Sequence, residues 1–288
     1  MEHTNQETPL AESIVHPTDL SDESQRAFAH ALAIALRNKA SLTILHVGKV
    51  GSEHRWKEFP SVRGTLERWR LLEEGSSRSE VFRNLDVRVK KVSLKSRRTL
   101  AAVLDYLEQH PADLIVLATE GRDGLPRWIR PSMAEAIARR SDTKVLFVPR
   151  SARSIVSPDD GGVTIERILV PVDHQPNPSS AVLNASRVAA MSVKTPVSAA
   201  ALYIGTPGGS PKIAFPESGF CAWSEITGSG DVADAIIHAA KERSVDLIVM
   251  ATEGHQGILD AFRGSVTEQV LRRAPCPVLA VPDHRGSA

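Results

Sequence analysis

Cysteine is nearly absent: Cys221 and Cys276 are the only two in 288 residues, and neither stands in a Cys-x-x-Cys pair. That excludes a disulfide framework and points to reduced thiols in a cytoplasmic protein. An excess of one charge is missing too. Lys and Arg total 35 against 34 for Asp and Glu, a formal net charge of +1. Neither nucleic acid nor a membrane surface is therefore an expected partner. No apolar run approaches the ~20 residues that span a bilayer, and the opening "MEHTNQETPLAES" lacks the apolar core of a secretory signal. The ten histidines are scattered, with no His-Glu-x-x-His and no closely spaced Cys/His set, so no metal site is expected. The absence of a G-x-S-x-G elbow and of a G-x4-G-K-(S/T) loop argues against a hydrolase or a motor-type ATPase.

What is present is repetition. "DLIVLATEGRDG" at Asp113 to Gly124 returns as "DLIVMATEGHQG" at Asp246 to Gly257. Upstream, "SIVHPTDLSDESQRAFAHALAIA" pairs with "RILVPVDHQPNPSSAVLNASRVA", and downstream "TKVLFVP" pairs with "CPVLAVP". The order is kept, so the repeated unit is a whole domain. At about 150 residues per domain, the length also suggests two. The expected division is a first domain at 12–150, a linker at 151–163 rich in Ser, Pro, Gly and Asp, and a second domain at 164–283.

Each copy alternates strand and helix patterns. Strands are expected at Ser13 to His16, Leu42 to Val47, Val87 to Val92, Leu114 to Ala118 and Val145 to Val148. The second set is Ile168 to Val172, Val197 to Ile204, Cys221 to Ile226, Leu247 to Ala251 and Val278 to Val281. Helices are expected at Glu23 to Asn38, Val62 to Glu74, Leu100 to Gln109 and Ser132 to Arg140. Runs such as "LIVLA" lack alternation, as strands covered on both faces do. Alternating β and α units imply an α/β fold of two tandem, doubly wound parallel sheets. In the second copy "GTPGGSPKIAFPESGF" is too rich in Gly and Pro for a helix, so the second crossover helix is expected to be lost there.

In such sheets ligands bind beyond the carboxyl ends of the strands, where strand order reverses. The loop after "LIVMATEG" is one such end. Gly254 lets backbone approach a ligand closely, and Gly264 and Ser265 open the helix "SVTEQVLRRA", whose unpaired N–H groups suit phosphate oxygens. Ser265 either donates to a phosphate or caps the helix, with Glu268 completing a capping box. "GSGDVA" at Gly228 to Ala233 mimics a dinucleotide fingerprint but follows the third strand of its unit, not the first, so it reads as an accessory wall of the same cleft. The basic stretch "RVKKVSLKSRR" reads as a solvated edge, and the segment around Trp56, Phe59 and Trp69 as a docked helix or a protein-binding surface.

Strand, G-x9-G-S-V-T-E, helix and a closing "PVLAVP" strand resemble the universal stress protein family, and the likeness runs through both copies. The resemblance implies a five-stranded sheet of order 3-2-1-4-5 in each copy and, in many members, ATP held through G-x2-G-x9-G-(S/T). On this sequence it assigns Asp173 to the adenosine, Ile204 to the adenine side, and Gly254, Gly264 and Ser265 to ribose and phosphates, with Val266 and Thr267 following. Pro171 and Met250, at the ends of the same strands, complete the expected set. Ala251 departs from the motif, which has glycine there. In copy one Asp19, Gly121 and Val47 are kept, but Pro131 replaces the second glycine and removes a phosphate-facing N–H. The expectation is therefore ATP or a related adenine nucleotide in copy two, with copy one structural, and a sensor or regulator that is at most a slow hydrolase. The alternative is a nucleotide-free interaction scaffold. The resemblance also implies an intrachain pseudo-dimer through "KVLFVP" and "PVLAVP", with further homodimerisation left open.

Overall fold

The computed structural model describes residues 8–48, 56, 59–119, 137, 143–150, 152–253 and 265–283. In the first half β1 (Ser13–Thr18), α1 (Asp22–Asn38), β2 (Ser41–Gly48), α2 (Val62–Arg68), α3 (Arg78–Leu85), β3 (Arg88–Lys95), α4 (Thr99–Gln109), β4 (Leu114–Thr119) and β5 (Lys144–Pro149) follow one another. The second half continues with β6 (Arg167–Val172), α5 (Ser179–Ala189), β7 (Val197–Ile204), β8 (Cys221–Gly228), α6 (Val232–Glu242), β9 (Leu247–Glu253), α7 (Val266–Arg273) and β10 (Val278–Asp283). The "LIVLAT" run of β4 is buried at every position, whereas the outer strands β3 and β8 are largely exposed. The difference follows from their place in the sheet, since only inner strands are covered on both faces.

The strands form a single ten-stranded sheet in the order β3-β2-β1-β4-β5-β10-β9-β6-β7-β8. Each half repeats 3-2-1-4-5 with parallel neighbours. The halves meet where β5 and β10 pair antiparallel, Val145 opposite Ala280, Leu146 opposite Leu279 and Phe147 opposite Val278. Leu146 and Leu279 are equivalent positions of the repeat, so a pseudo-twofold axis passes between them. The pairing removes two free edges that separate halves would expose.

Helices cover both faces. On one face α1 and α5 share a single core with residues from both halves, among them Phe28, Leu32, Val182 and Val188. On the other, α4 covers the first half and α6 with α7 the second, in two further clusters. Helix α1 buries Ala27, Phe28, Ala31, Leu32 and Ala35 on one stripe, starts at Ser21, whose hydroxyl accepts from the Ser24 N–H, and stops at Lys39 in the left-handed region.

The connecting segment is packed rather than loose. Ile155, Val156, Val163 and Ile165 enter the shared core, and Val156 bridges to Val163. The expected helix at Val62 to Glu74 stops early: α2 ends at Arg68, and Trp69 and Arg70 form a turn with Arg70 at φ 58°; α3, from Arg78 to Leu85, is a further helix outside the expected set. Between β7 and β8, residues 205–220 contain no helix, as their Gly and Pro content requires. The expected helix Ser132 to Arg140 lies outside the described residues apart from 137. Among the described residues no helix is long and apolar enough to cross a membrane.

Candidate functional site

Strand order reverses between β6 and β9: β6 leads through α5 outward to β7, while β9 leads inward to β10. A crevice opens beyond the carboxyl ends of these two strands, as the doubly wound topology dictates. There a cavity of about 170 Å³ is lined by Pro171, Val172, Asp173, Gln175, Pro176, Ile204, Val232, Ile236, Met250, Ala251, Val266 and Thr267. The sequence-derived set Pro171, Asp173, Ile204, Met250, Ala251, Val266 and Thr267 thus converges on one cavity from four separate elements. Gly254 and Gly264 lie outside the described residues, as do Gly121 and Pro131 of the first copy.

Local sequence explains each wall. β6 ends with Pro171 and Val172, and Asp173 follows it, its carboxylate accepting from the His174 N–H at 2.7 Å. Asp173 is exposed at the rim. His174 turns outward, its Nε2 2.9 Å from the Gly209 carbonyl oxygen and its ring edge-on to Tyr203 at 6.4 Å. Met250, 5% exposed, and Ile236, 1% exposed, supply an apolar back wall. Helix α6, capped by Asp231, whose carboxylate accepts from the Asp234 N–H at 3.0 Å, brings Val232 and Ile236 to the cleft one turn apart. The "GSGDVA" segment is thereby an accessory wall through Val232.

Ser265 is the N-cap of α7. Its hydroxyl oxygen accepts from the Glu268 N–H at 3.1 Å, so the capping role is realised. Glu268, buried, also pairs with Arg272 at 2.5 Å. The hydroxyl hydrogen of Ser265 is not used by that bond, and the α7 N-terminus beside Val266 and Thr267 faces the same crevice. Sequence reasoning missed Val172, Gln175, Pro176 and Ile236. Only Ile236 carried a signal, four residues after Val232 and so on the same helix face.

In the first copy the matching aspartate is engaged differently. Asp19 accepts from the Ser21 N–H at 2.9 Å and from the Ser21 hydroxyl at 2.5 Å, and Thr18, fully buried, donates to Ser24. Cys276 is buried, and that burial pushes its thiol up to about 12, so it is no nucleophile. Among the described residues no group of three or more His, Cys, Asp or Glu is arranged to hold a metal ion.

Comparison with known proteins bears on the fold and the family. The universal stress protein family profile matches residues 11–149 and 216–282. A universal stress protein of Methanocaldococcus jannaschii is 28% identical over 153 residues, 49% of this chain and 84% of that protein. A universal stress protein of Archaeoglobus fulgidus superposes with a TM-score of 0.61 at 16% identity, covering 96% of this chain and 98% of that one. A putative universal stress protein of Pseudomonas aeruginosa does so with 0.59 at 16%, covering 94% and 93%. The profile match omits β6, α5 and β7, the stretch that carries Asp173 and Ile204. A profile matched in both halves, on a sheet whose halves repeat one strand order, makes this chain a two-copy member of the universal stress protein family.

Proposed function

We propose that the crevice between β6 and β9 binds ATP or a related adenine nucleotide, and that the protein acts as a stress-response sensor or regulator. The observation that carries this reading is the convergence of strand ends and the α7 N-terminus on one cavity. Ile204, Val232, Ile236 and Met250 offer apolar walls to a base, and Asp173 at the rim offers a carboxylate to ribose hydroxyls. The α7 N-terminus offers backbone N–H groups to phosphate. The cavity is smaller than a whole nucleotide, which fits the adenosine part within and the phosphates outside it, toward the α7 N-terminus.

A ligand that binds only the native state raises stability by about 2.7 kcal/mol at a hundredfold excess over Kd. Millimolar ATP is therefore expected to raise the melting temperature, AMP to raise it less and NADH little. Ser265→Ala should lower the apo protein's stability by the cost of a lost cap, about 0.5–2 kcal/mol, and also shrink the ATP shift. Loss of the cap alone, with the ATP shift unchanged, would remove Ser265 from the site. The scaffold reading is favoured by one observation, the Ala251 methyl in the cavity wall. Absence of any ATP shift, in protein shown by mass spectrometry to carry no bound ligand, would establish it.

A further inference from the structure

A second and larger opening lies at the seam between the halves, away from the β6–β9 crevice. It has a volume of about 410 Å³, within the range of small-molecule sites. One wall is the stripe of α5 that carries Ser180, Leu183, Asn184 and Arg187; the other is the start of β4 and β5, with Asp113 and Lys144.

Its polar groups are unevenly satisfied. Asn184 is 5% exposed. Its amide nitrogen donates to the Ser180 carbonyl at 2.8 Å, which fixes the orientation of the amide, and its Oδ1 is then buried without a hydrogen-bond partner. The Ser180 hydroxyl is likewise buried and unpartnered. A buried acceptor left unpaired costs about 1–3 kcal/mol, so this wall calls for a donor. Arg187 makes no ion pair among the described residues, and Lys144 donates to the Leu10 carbonyl. Burial, and next the charge of Arg187, hold the Lys144 ammonium below its usual pKa. The repulsion of Arg187 there exceeds the attraction of Asp113. Asp113 is turned to the backbone, accepting from the N–H groups of Glu12 at 2.9 Å and Ser13 at 2.8 Å. Asp283 accepts from the Asn177 N–H at 2.9 Å. Lys144 and Arg187 thus stand in a lining that also holds the carboxylates of Asp113 and Asp283, both of which accept from backbone N–H groups.

The pseudo-symmetric position is built otherwise. Arg26 and His30 stand where Ser180 and Asn184 do. Arg26 donates to the Arg150 carbonyl, and Arg153 closes on Asp246, the counterpart of Asp113, at 2.9 Å.

We propose that this seam cleft binds a small anion carried on a hydroxylated carbon frame, its charged group between Lys144 and Arg187 and a hydroxyl donating to Asn184. No aromatic side chain lines the cleft, so it offers no stacking surface to a nucleobase, which separates it from the proposed nucleotide site. Phosphate monoester and carboxylate share the required chemistry, and the two are told apart by probe.

Calorimetry on the full chain with ribose 5-phosphate and with gluconate tests this. One of the two is expected to bind saturably at millimolar concentration or below, at least about tenfold more tightly than inorganic phosphate or ribose alone, the factor that one lost charge-assisted hydrogen bond carries. Arg187→Gln and Asn184→Leu should each weaken that binding about tenfold while leaving the ATP response intact. Arg187 is half-buried at the rim, so its variant tests the site even if Asn184→Leu fails to fold. No saturable binding of either probe overturns the proposal. So does binding that survives Arg187→Gln and is displaced by ATP, which would place the probe in the β6–β9 crevice.

Discussion

His16 and His30 sit fully buried in the first half, their Nδ1–H groups donating to the carbonyls of Val116 at 2.9 Å and Arg26 at 2.8 Å. Their Nε2 atoms are buried without a partner. A second proton on either ring would be a buried charge; Asp19 favours it at His16 and Arg26 opposes it at His30, but burial is the largest effect at both and pushes both pKa values down to about 4. The unfolded chain binds those protons near pH 6.5, so between about pH 6.5 and 4 it holds more protons than the native state. Stability is thus expected to fall as pH drops through that window, by on the order of 3 kcal/mol per histidine at most. Thermal melting at pH 7 and pH 5 checks the direction, and His30→Gln should flatten the profile. No pattern in the sequence marks these two histidines as buried. By contrast Pro171, Asp173, Met250 and Ala251 were legible, because each stands at a strand end that the repeat fixes twice. Gln175 and Pro176 were not, since the path of the loop after β6 is set by its packing.

Among the elements, the connection between the halves holds the least expected feature. Its Gly161 has φ +68°, and a Cβ there would overlap the Trp69 ring. Trp69, 3% exposed, donates its indole N–H to the Pro158 carbonyl at 3.1 Å. Gly161→Ala is expected to combine left-handed strain of about 1–2 kcal/mol with displacement of that ring, which a drop in melting temperature and a change in tryptophan fluorescence would report. A shift in neither would mean that the turn is free of the ring. Composition alone made 151–163 a linker; what it could not reveal is that Trp69 of another segment closes over it. The same insertion accounts for the early end of the expected helix Val62 to Glu74, since the chain turns at Trp69 and Arg70 where the indole packs inward. Loss of the helix in residues 205–220 was legible, because closely spaced Gly and Pro disfavour a helix.

At the scale of the whole molecule, the core beneath α1 and α5 draws on both halves and on the connection. One cooperative unfolding transition is expected, with equal calorimetric and van't Hoff enthalpies, although the repeat would suggest two units. Leu146→Ala should cost about 2–5 kcal/mol and lower that single transition; two separated transitions in the wild-type protein would refute the shared core. The boundaries 12–150 and 164–283 stand as a proposal, and a half expressed alone is expected to pair through its bared β5 or β10 edge. That axis also has a genetic consequence. Between identical subunits, a residue on a twofold axis meets only itself, and every substitution is made twice. Here Leu146 and Leu279 face each other from separate codons. A larger residue on one side and a smaller one on the other is open to this chain and closed to a homodimer, and Pro131 alters one copy of the motif while leaving Gly264 in the other.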